Sequence, residues 1–227
     1  MKPFQVVRDF EAALCEYTGA PFAVTTTSCT MALLLAVAWH FRSINGQTPP
    51  PWEVEIPKRT YVGVPYAIRE AGGRVAFRDE DWVGMYQLRP LPVWDSARWL
   101  TAGIYNGATV LEHRGGPVRG QLRAEPGTMI CVSFHWSKTL GIQQGGAILH
   151  DNPAADEWLR RARFDGRAEG VAPSKDTFPL SRAWHAYMSP ETAAAGLVRL
   201  ANLPRNNDPI PADDYPDLSE MAVFRNP

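Results

Sequence analysis

The chain has 227 residues, 45% apolar and 21% charged, and its 23 Lys and Arg against 24 Asp and Glu give a net charge of −1. That is enough apolar chain to bury a core in one domain, and the balance gives no electrostatic reason for a nucleic-acid or anionic-membrane partner. Cys15, Cys29 and Cys131 form neither a metal-ligand pair nor an even-numbered disulfide framework, so a reduced, cytoplasmic setting is expected. The opening MKPFQVVRDFE has no apolar signal segment, and the LLLAVAW run is too short to span a bilayer. No internal repeat, phosphate-loop signature, dinucleotide GxGxxG or His–Glu–His metal spacing is present.

From Phe4 to Tyr17 the apolar positions recur with a helical period, which Gly19-Ala20-Pro21 breaks. FAVTTT at 22–27 reads as a strand and SCTMALLLAVAWHF at 28–41 as a helix capped near Ser28 or Thr30. Such a junction offers unpaired backbone N–H groups to a phosphate, although a purely structural capped helix has the same sequence. A proline-rich connector at 46–53 precedes the short strand VEIP. LPVWDSARWL at 91–100 puts Asp95 at the end of a strand, where open α/β sheets bind ligands; a partner for Arg98 or a helix cap is the ordinary alternative.

The interval 101–127 holds Gly-rich turns and one strand, ATVLE; its Arg114, Arg119 and Arg123 read as solubilising charges rather than substrate ligands. In 131–147, CVSFHWSKTLGIQQGGA, a buried strand leads into a polar turn carrying Lys138, and Gly145-Gly146 turns the chain into a second apolar run. Most lysines are solvated surface charges, so position alone says little of Lys138. An amphipathic helix follows at 154–163, and a second begins at Ser189 as cap with Pro190 in its first turn. From Leu203 onward the prolines at 204, 209, 211, 216 and 227 predict an irregular arm or partial disorder.

The lysine stretch resembles that of the fold-type-I pyridoxal-phosphate (PLP) enzymes, and within them the DegT/DnrJ/StrS group of sugar aminotransferases, SFHxxKxLxxGEGG. Ser133, Phe134, His135, Lys138, Leu140, Gly145 and Gly146 match, while Gln143 and Gln144 depart from it. Four further stretches are similar. Ser28, Thr30, Ala32 and Leu33 match SSGTAALHLAL, with Cys29 in place of glycine. Pro57, Thr60, Val62, Ala67, Ile68, Gly72, Phe77 and Asp79 match a loop, helix and strand in which Tyr61 holds the ring-stacking position. Asp95 and Ala97 match VDAAQA, with Ser96 and Arg98 departing. Met188, Ser189, Ala193, Ala194, Gly196 and Leu197 match GYNYRMSELQAAIGL, with His185 replacing an Asn and Tyr187 an Arg.

The resemblance implies an α/β fold: a mostly parallel sheet of about six or seven strands with helices on both faces. It implies PLP bound covalently by Lys138, with Asp95 pairing the pyridine nitrogen so that the ring accepts electrons. Ser28, Cys29, Thr30, Ser133 and His135 fall in its cofactor site, where Thr30, Ser133 and nearby backbone hold the phosphate; Cys29 by itself reads as packing. Arg98 contacts cofactor or substrate, or neutralises Asp95. His185 is the position that reaches the phosphate in the neighbouring subunit of a homodimer, although a lone histidine is more often a surface or core residue. The interval 101–127 is about a dozen residues longer than in the resembling group, which predicts an inserted hairpin or flap. The likeness covers roughly residues 9–202, within a large domain expected over 1–202, with 203–227 a proline-rich arm in place of the usual small domain. The implied activity is amino transfer from an amino-acid donor to a sugar or nucleotide-linked carbonyl. Decarboxylation or elimination with the same cofactor, or a catalytically silent partner protein, are the alternatives.

Overall fold

The computed structural model describes residues 4–42, 52–107, 110–113, 116–121, 124–212 and 214–225. Residues 46–51 of the proline-rich connector, and Arg114 and Arg123, lie outside them.

Helix α1 (Gln5–Thr18) buries Val7, Phe10 and Leu14 and stops where Gly19 takes a left-handed φ of 77°. Strand β1 (Phe22–Thr26) follows, and then α2 (Cys29–Phe41), whose cap Ser28 accepts the Met31 N–H at 3.2 Å. Every residue of α2 from Ala32 to Trp39 is buried. A helix apolar on all sides is an interior helix, so its first turn lies inside the molecule rather than on its surface.

The central sheet runs β1, β9 (Gly146–His150), β8 (Met129–Ser133), β5 (Val93–Ser96), β4 (Tyr86–Gln87). Alternation along its strands makes two cores. Val24, Ile148, Met129 and Cys131 face a cluster with α2 and with Leu159 of α4 (Pro153–Ala162). Ala23, Leu149, Ile130 and Val132 face Phe10 and Leu14 of α1 and Leu200 of α5 (Pro190–Ala201). The α/β class with helices on both faces is therefore present.

The strand directions differ from the mostly parallel sheet expected. Only β5–β8 is parallel within the five-stranded sheet; β1–β9, β8–β9 and β4–β5 are antiparallel. The reason is connection: the turn at 88–92 between β4 and β5, and the lysine turn at 134–145 between β8 and β9, hold no crossover helix. Where a helix does intervene, as α3 (Gly63–Glu70) does between β2 (Glu53–Pro57) and β3 (Arg74–Arg78), the pair is parallel. That pair is hydrogen-bonded apart from the main sheet and meets it through a Glu55–Arg89 bridge.

The expected hairpin in 101–127 is present as antiparallel β6 (Val110–His113) and β7 (Gly116–Gln121). Both carboxyl-terminal expectations for helices hold: Asn152 caps α4, and Ser189 caps α5 with Pro190 in its first turn. Beyond α5 the chain is an irregular arm ending in a short helix, α6 (Ala222–Arg225). The arm is pinned along its length: Ala102 N–H donates to the Arg205 carbonyl at 2.8 Å, Trp99 Nε1 to the Asn207 carbonyl at 2.7 Å, and Leu218 N–H to the Lys58 carbonyl at 2.9 Å. Phe224 packs its ring against Tyr66 and Phe77. No helix among the described residues is long and apolar enough to cross a membrane.

Candidate active site

The lysine turn is built on its glycines. Gly145 sits at φ +131°, a conformation L side chains rarely adopt, and a Cβ on Gly146 would lie 2.5 Å from the Cys29 nitrogen. Those glycines therefore let the β9 entry press directly against the first turn of α2. Phe134 N–H donates to the Gly145 carbonyl at 2.9 Å and Lys138 N–H to the His135 carbonyl at 2.8 Å, closing the turn. Its side chains face a cavity of about 480 Å³.

Lys138 lines that cavity half-buried, and its amine has no hydrogen bond or ion pair among the described residues. Burial lowers its pKa, and the nearby Arg98 charge lowers it further against the opposing pull of Asp95, Cys29 and Asp214. A lysine in this state loses its proton more readily than a surface lysine, which is what attack on an aldehyde requires.

Asp95 is 4% exposed at the end of β5. Its Oδ2 accepts the Tyr86 hydroxyl at 2.8 Å and its Oδ1 the Ala97 N–H at 2.9 Å, with the Cys29 thiol at 4.0 Å. Tyr86 in turn accepts from the Thr60 hydroxyl at 2.7 Å, since its own proton goes to Asp95. Burial raises the Asp95 pKa despite those donors and the charge of Lys138. The carboxylate is thus oriented by neutral groups and short of a full positive charge.

The cavity is also lined by the first turn of α2. Ser28, Cys29 and Thr30 line it, and the N–H groups of that turn have no acceptor within the helix. Ser133 lines it from the end of β8, and exposed His135 stands at its edge with Nδ1 2.9 Å from Ser137 Oγ. Tyr61, about half exposed at 53%, lies beside Thr30; Gly63 permits this, because a Cβ there would be 2.7 Å from the Tyr61 ring and 3.0 Å from Thr30 Oγ1. Burial pushes the Cys29 thiol well up, which keeps it protonated and fits its reading as packing.

Nine of the ten residues singled out from the sequence meet here, from four separate segments. The tenth, His185, does not: its Nδ1 pairs with Asp165 Oδ2 at 2.9 Å and its side chain is 70% exposed, outside the cavity of its own chain. Arg98 is held by the arm and makes no ion pair with Asp95 among the described residues; its Nη1 donates to the Tyr215 hydroxyl at 2.9 Å. Among the lining residues to which the sequence reading gave no site role are Thr60, Trp82, Asp214 and Tyr215. Trp82 stacks on Tyr215 at 6.2 Å and packs on Tyr86 at 4.7 Å, so the arm and the β3–β4 loop wall the cavity together. Only Thr60 lay in a stretch matching a motif.

Comparison with protein-family models matches the description "DegT/DnrJ/EryC1/StrS aminotransferase family" over residues 2–90 and 113–209. The chain belongs to this family. Its matched stretches contain Lys138, Thr30, Tyr61 and Ser133, whereas Asp95 and Arg98 fall between them. None of the curated proteins compared with the chain matches it.

Among solved structures, the sugar aminotransferase CalS13 from Micromonospora echinospora is 18% identical with a TM-score of 0.64, over 88% of this chain and 61% of its own. PseC of Helicobacter pylori, an aminotransferase involved in the biosynthesis of pseudoaminic acid, is 20% identical with a TM-score of 0.63, over 88% and 58%. A GDP-4-keto-6-deoxymannose-3-dehydratase with bound GDP-perosamine is 18% identical with a TM-score of 0.65, over 88% and 61%. At these identities the likeness is one of fold, and the chain spans about three fifths of the length of the structures it matches.

The family's cofactor is pyridoxal 5′-phosphate. The cavity has the donor set for it: an unpaired amine for the aldehyde, a buried carboxylate for the ring nitrogen, and hydroxyls with helix N–H groups for the phosphate.

Proposed function

We propose that this protein is a PLP-dependent aminotransferase that moves an amino group from an amino-acid donor to a carbonyl on a sugar or nucleotide-linked acceptor. The observation that carries the reading is Lys138, half-buried with an unpartnered amine of lowered pKa, in one cavity with the buried carboxylate of Asp95. Thr30, Ser133 and the first-turn amides of α2 would hold the phosphate, Tyr61 would lie on the ring, and Lys138 would bind the aldehyde carbon. The bound cofactor supplies an electron sink for the donor's α carbon.

The chain's own residues then have distinct tasks. Asp95, buried without a full positive partner, would keep the ring nitrogen of the bound cofactor protonated. Lys138 would move the donor's α proton as a general base. Tyr86 and the Ala97 N–H keep Asp95 in one orientation. Trp82 and Tyr215 would wall one side of the bound cofactor. His185, exposed and outside its own cavity, would reach the site of a second copy in a homodimer.

The test is labelling. Protein mixed with pyridoxal phosphate and reduced with borohydride should carry the label on the Lys138 peptide, at a lower pH than surface lysines react, because its lowered pKa leaves more neutral amine there. Lys138→Ala should carry none. Equal labelling of surface lysines sinks the assignment. With a donor added, formation of the matching keto acid identifies transamination, and release of carbon dioxide identifies decarboxylation instead.

A further inference from the structure

Two cations and two carboxylates share the cavity, and the proposed function uses only Lys138 and Asp95. The other two, Arg98 and Asp214, form a mismatched pair. Arg98 is well enclosed, its side chain 12% exposed, whereas that of Asp214 is 77% exposed. Asp214 Oδ1 stands 3.6 Å from Arg98 Nη1, beyond hydrogen-bonding distance. An enclosed guanidinium ordinarily holds a carboxylate through two parallel bonds of about 2.7–2.9 Å, and Asp214 makes neither.

What Arg98 does have is a set of fixed neutral partners. Its Nη1 donates to the Tyr215 hydroxyl at 2.9 Å and its Nε to the Ile210 carbonyl at 3.3 Å. Ile210 N–H returns the contact to the Arg98 carbonyl at 2.9 Å, so the guanidinium is held from both ends by one stretch of the arm. Nη2 has no partner among the described residues. Its charge is also felt by Lys138, which places the two cations close inside one cavity.

We infer that Arg98 binds the carboxylate of the amino donor, with Tyr215 fixing the guanidinium and Asp214 holding the place of that carboxylate until the donor arrives. The assignment rests on the aminotransferase reading and deepens it by naming the donor's anchor. A donor whose amine meets the cofactor at Lys138 then has its carboxylate on the cation beside it. Two attachment points orient the α carbon, where one would leave it free to rotate. Because Asp214 is solvated and makes no hydrogen bond to Arg98, displacing it costs little.

The experiment is calorimetric titration of the full-length protein with glutarate, a dicarboxylate that has no amine or carbonyl to react with cofactor. Asp214→Asn removes the competing carboxylate and should tighten glutarate binding about two- to fivefold. Arg98→Gln should weaken it about tenfold or more, with Arg98→Lys in between. Should Arg98→Gln fail to fold, Asp214→Asn still decides, since that side chain is exposed. Equal affinity in wild type and a folded Arg98→Gln overturns the assignment, as does unchanged affinity or no binding in Asp214→Asn. If Lys138 takes the cofactor while glutarate ignores Arg98, only the anchor is lost and the function stands. If Lys138 takes no label, the aminotransferase reading falls and the donor assignment goes with it.

Discussion

Two clusters of buried charge sit in this molecule and behave in opposite ways. Glu11, on α1, is 3% exposed and meets Arg160 Nη1 at 2.6 Å, Arg163 Nη1 at 2.5 Å, and the Thr25 N–H and hydroxyl at 3.0 and 2.9 Å. Arg160 continues to Asp156 at 2.7 Å and Arg163 to the Thr25 carbonyl at 2.6 Å. Asp95 is buried to the same degree but receives only the neutral Tyr86 hydroxyl and Ala97 N–H. Burial on its own would raise both carboxyl pKa values. In Glu11 the two arginines and the Thr25 N–H outweigh it and the pKa falls, whereas in Asp95 it stays raised. In the first cluster Glu11 has cationic partners on both oxygens, and it staples α1, β1 and α4 together. The second is short of a cation and sits in a cavity, which supports the cofactor role proposed for it.

The sharpest way to separate the two is to remove each carboxylate in turn. Glu11→Ala leaves Arg160 and Arg163 without their shared partner and should cost about 3–5 kcal/mol, read from the urea midpoint. Its pH dependence has a fixed sign. A carboxyl whose folded pKa is depressed contributes stability above its unfolded pKa and loses it as pH falls through the folded one, so the wild type should lose this advantage over Glu11→Ala in acid. If stability differences between the two proteins are flat with pH, the network is not doing what its geometry implies.

Asp95→Asn should do the reverse: slow single-turnover conversion of the cofactor-loaded protein by an amino donor about 10²-fold, with no loss of stability at neutral pH. The sign again follows from the shift, because a carboxylate with a raised pKa is disfavoured by folding wherever it is ionised. Unchanged turnover would remove Asp95 from the chemistry; a large drop in the melting midpoint would move it into the structural class with Glu11. The smallest effect is expected at the junction between fold and site. Ser28→Ala deletes the bond to Met31 N–H and should cost about 1 kcal/mol in urea unfolding.

Much of the cavity was legible beforehand because its residues sit at the ends of patterned elements. Lys138 follows an apolar run and precedes a glycine pair, Asp95 ends a short strand, and Thr30 opens a helix that a serine caps. Local chemistry dictates such ends, and the structure gathers them because strand ends and helix starts converge on one edge of a sheet. Strand direction was not legible. It depends on whether a connection contains a crossover helix, and the apolar runs of β8 and β9 look the same for either direction.

Tyr86 was hidden for a related reason. It lies in a two-residue strand with no periodicity to read, and only the pairing of Tyr86 with Asp95 in that ladder brings its hydroxyl to the carboxylate. Asp214 and Tyr215 were hidden more deeply, in a proline-rich stretch whose composition predicts an irregular arm whether or not it touches anything.

By itself, then, the sequence determined the elements, their caps, the two-faced burial of the sheet and the turn that presents Lys138, since each depends on neighbours a few residues away. The tertiary structure alone decided which buried charges meet an opposite charge and which do not. Glu11 and Arg163 are 152 residues apart, and Arg98 and Tyr215 are 117 apart. No local pattern encodes such a meeting, because a charge's partner is set by which surfaces the fold brings within a few ångströms of it.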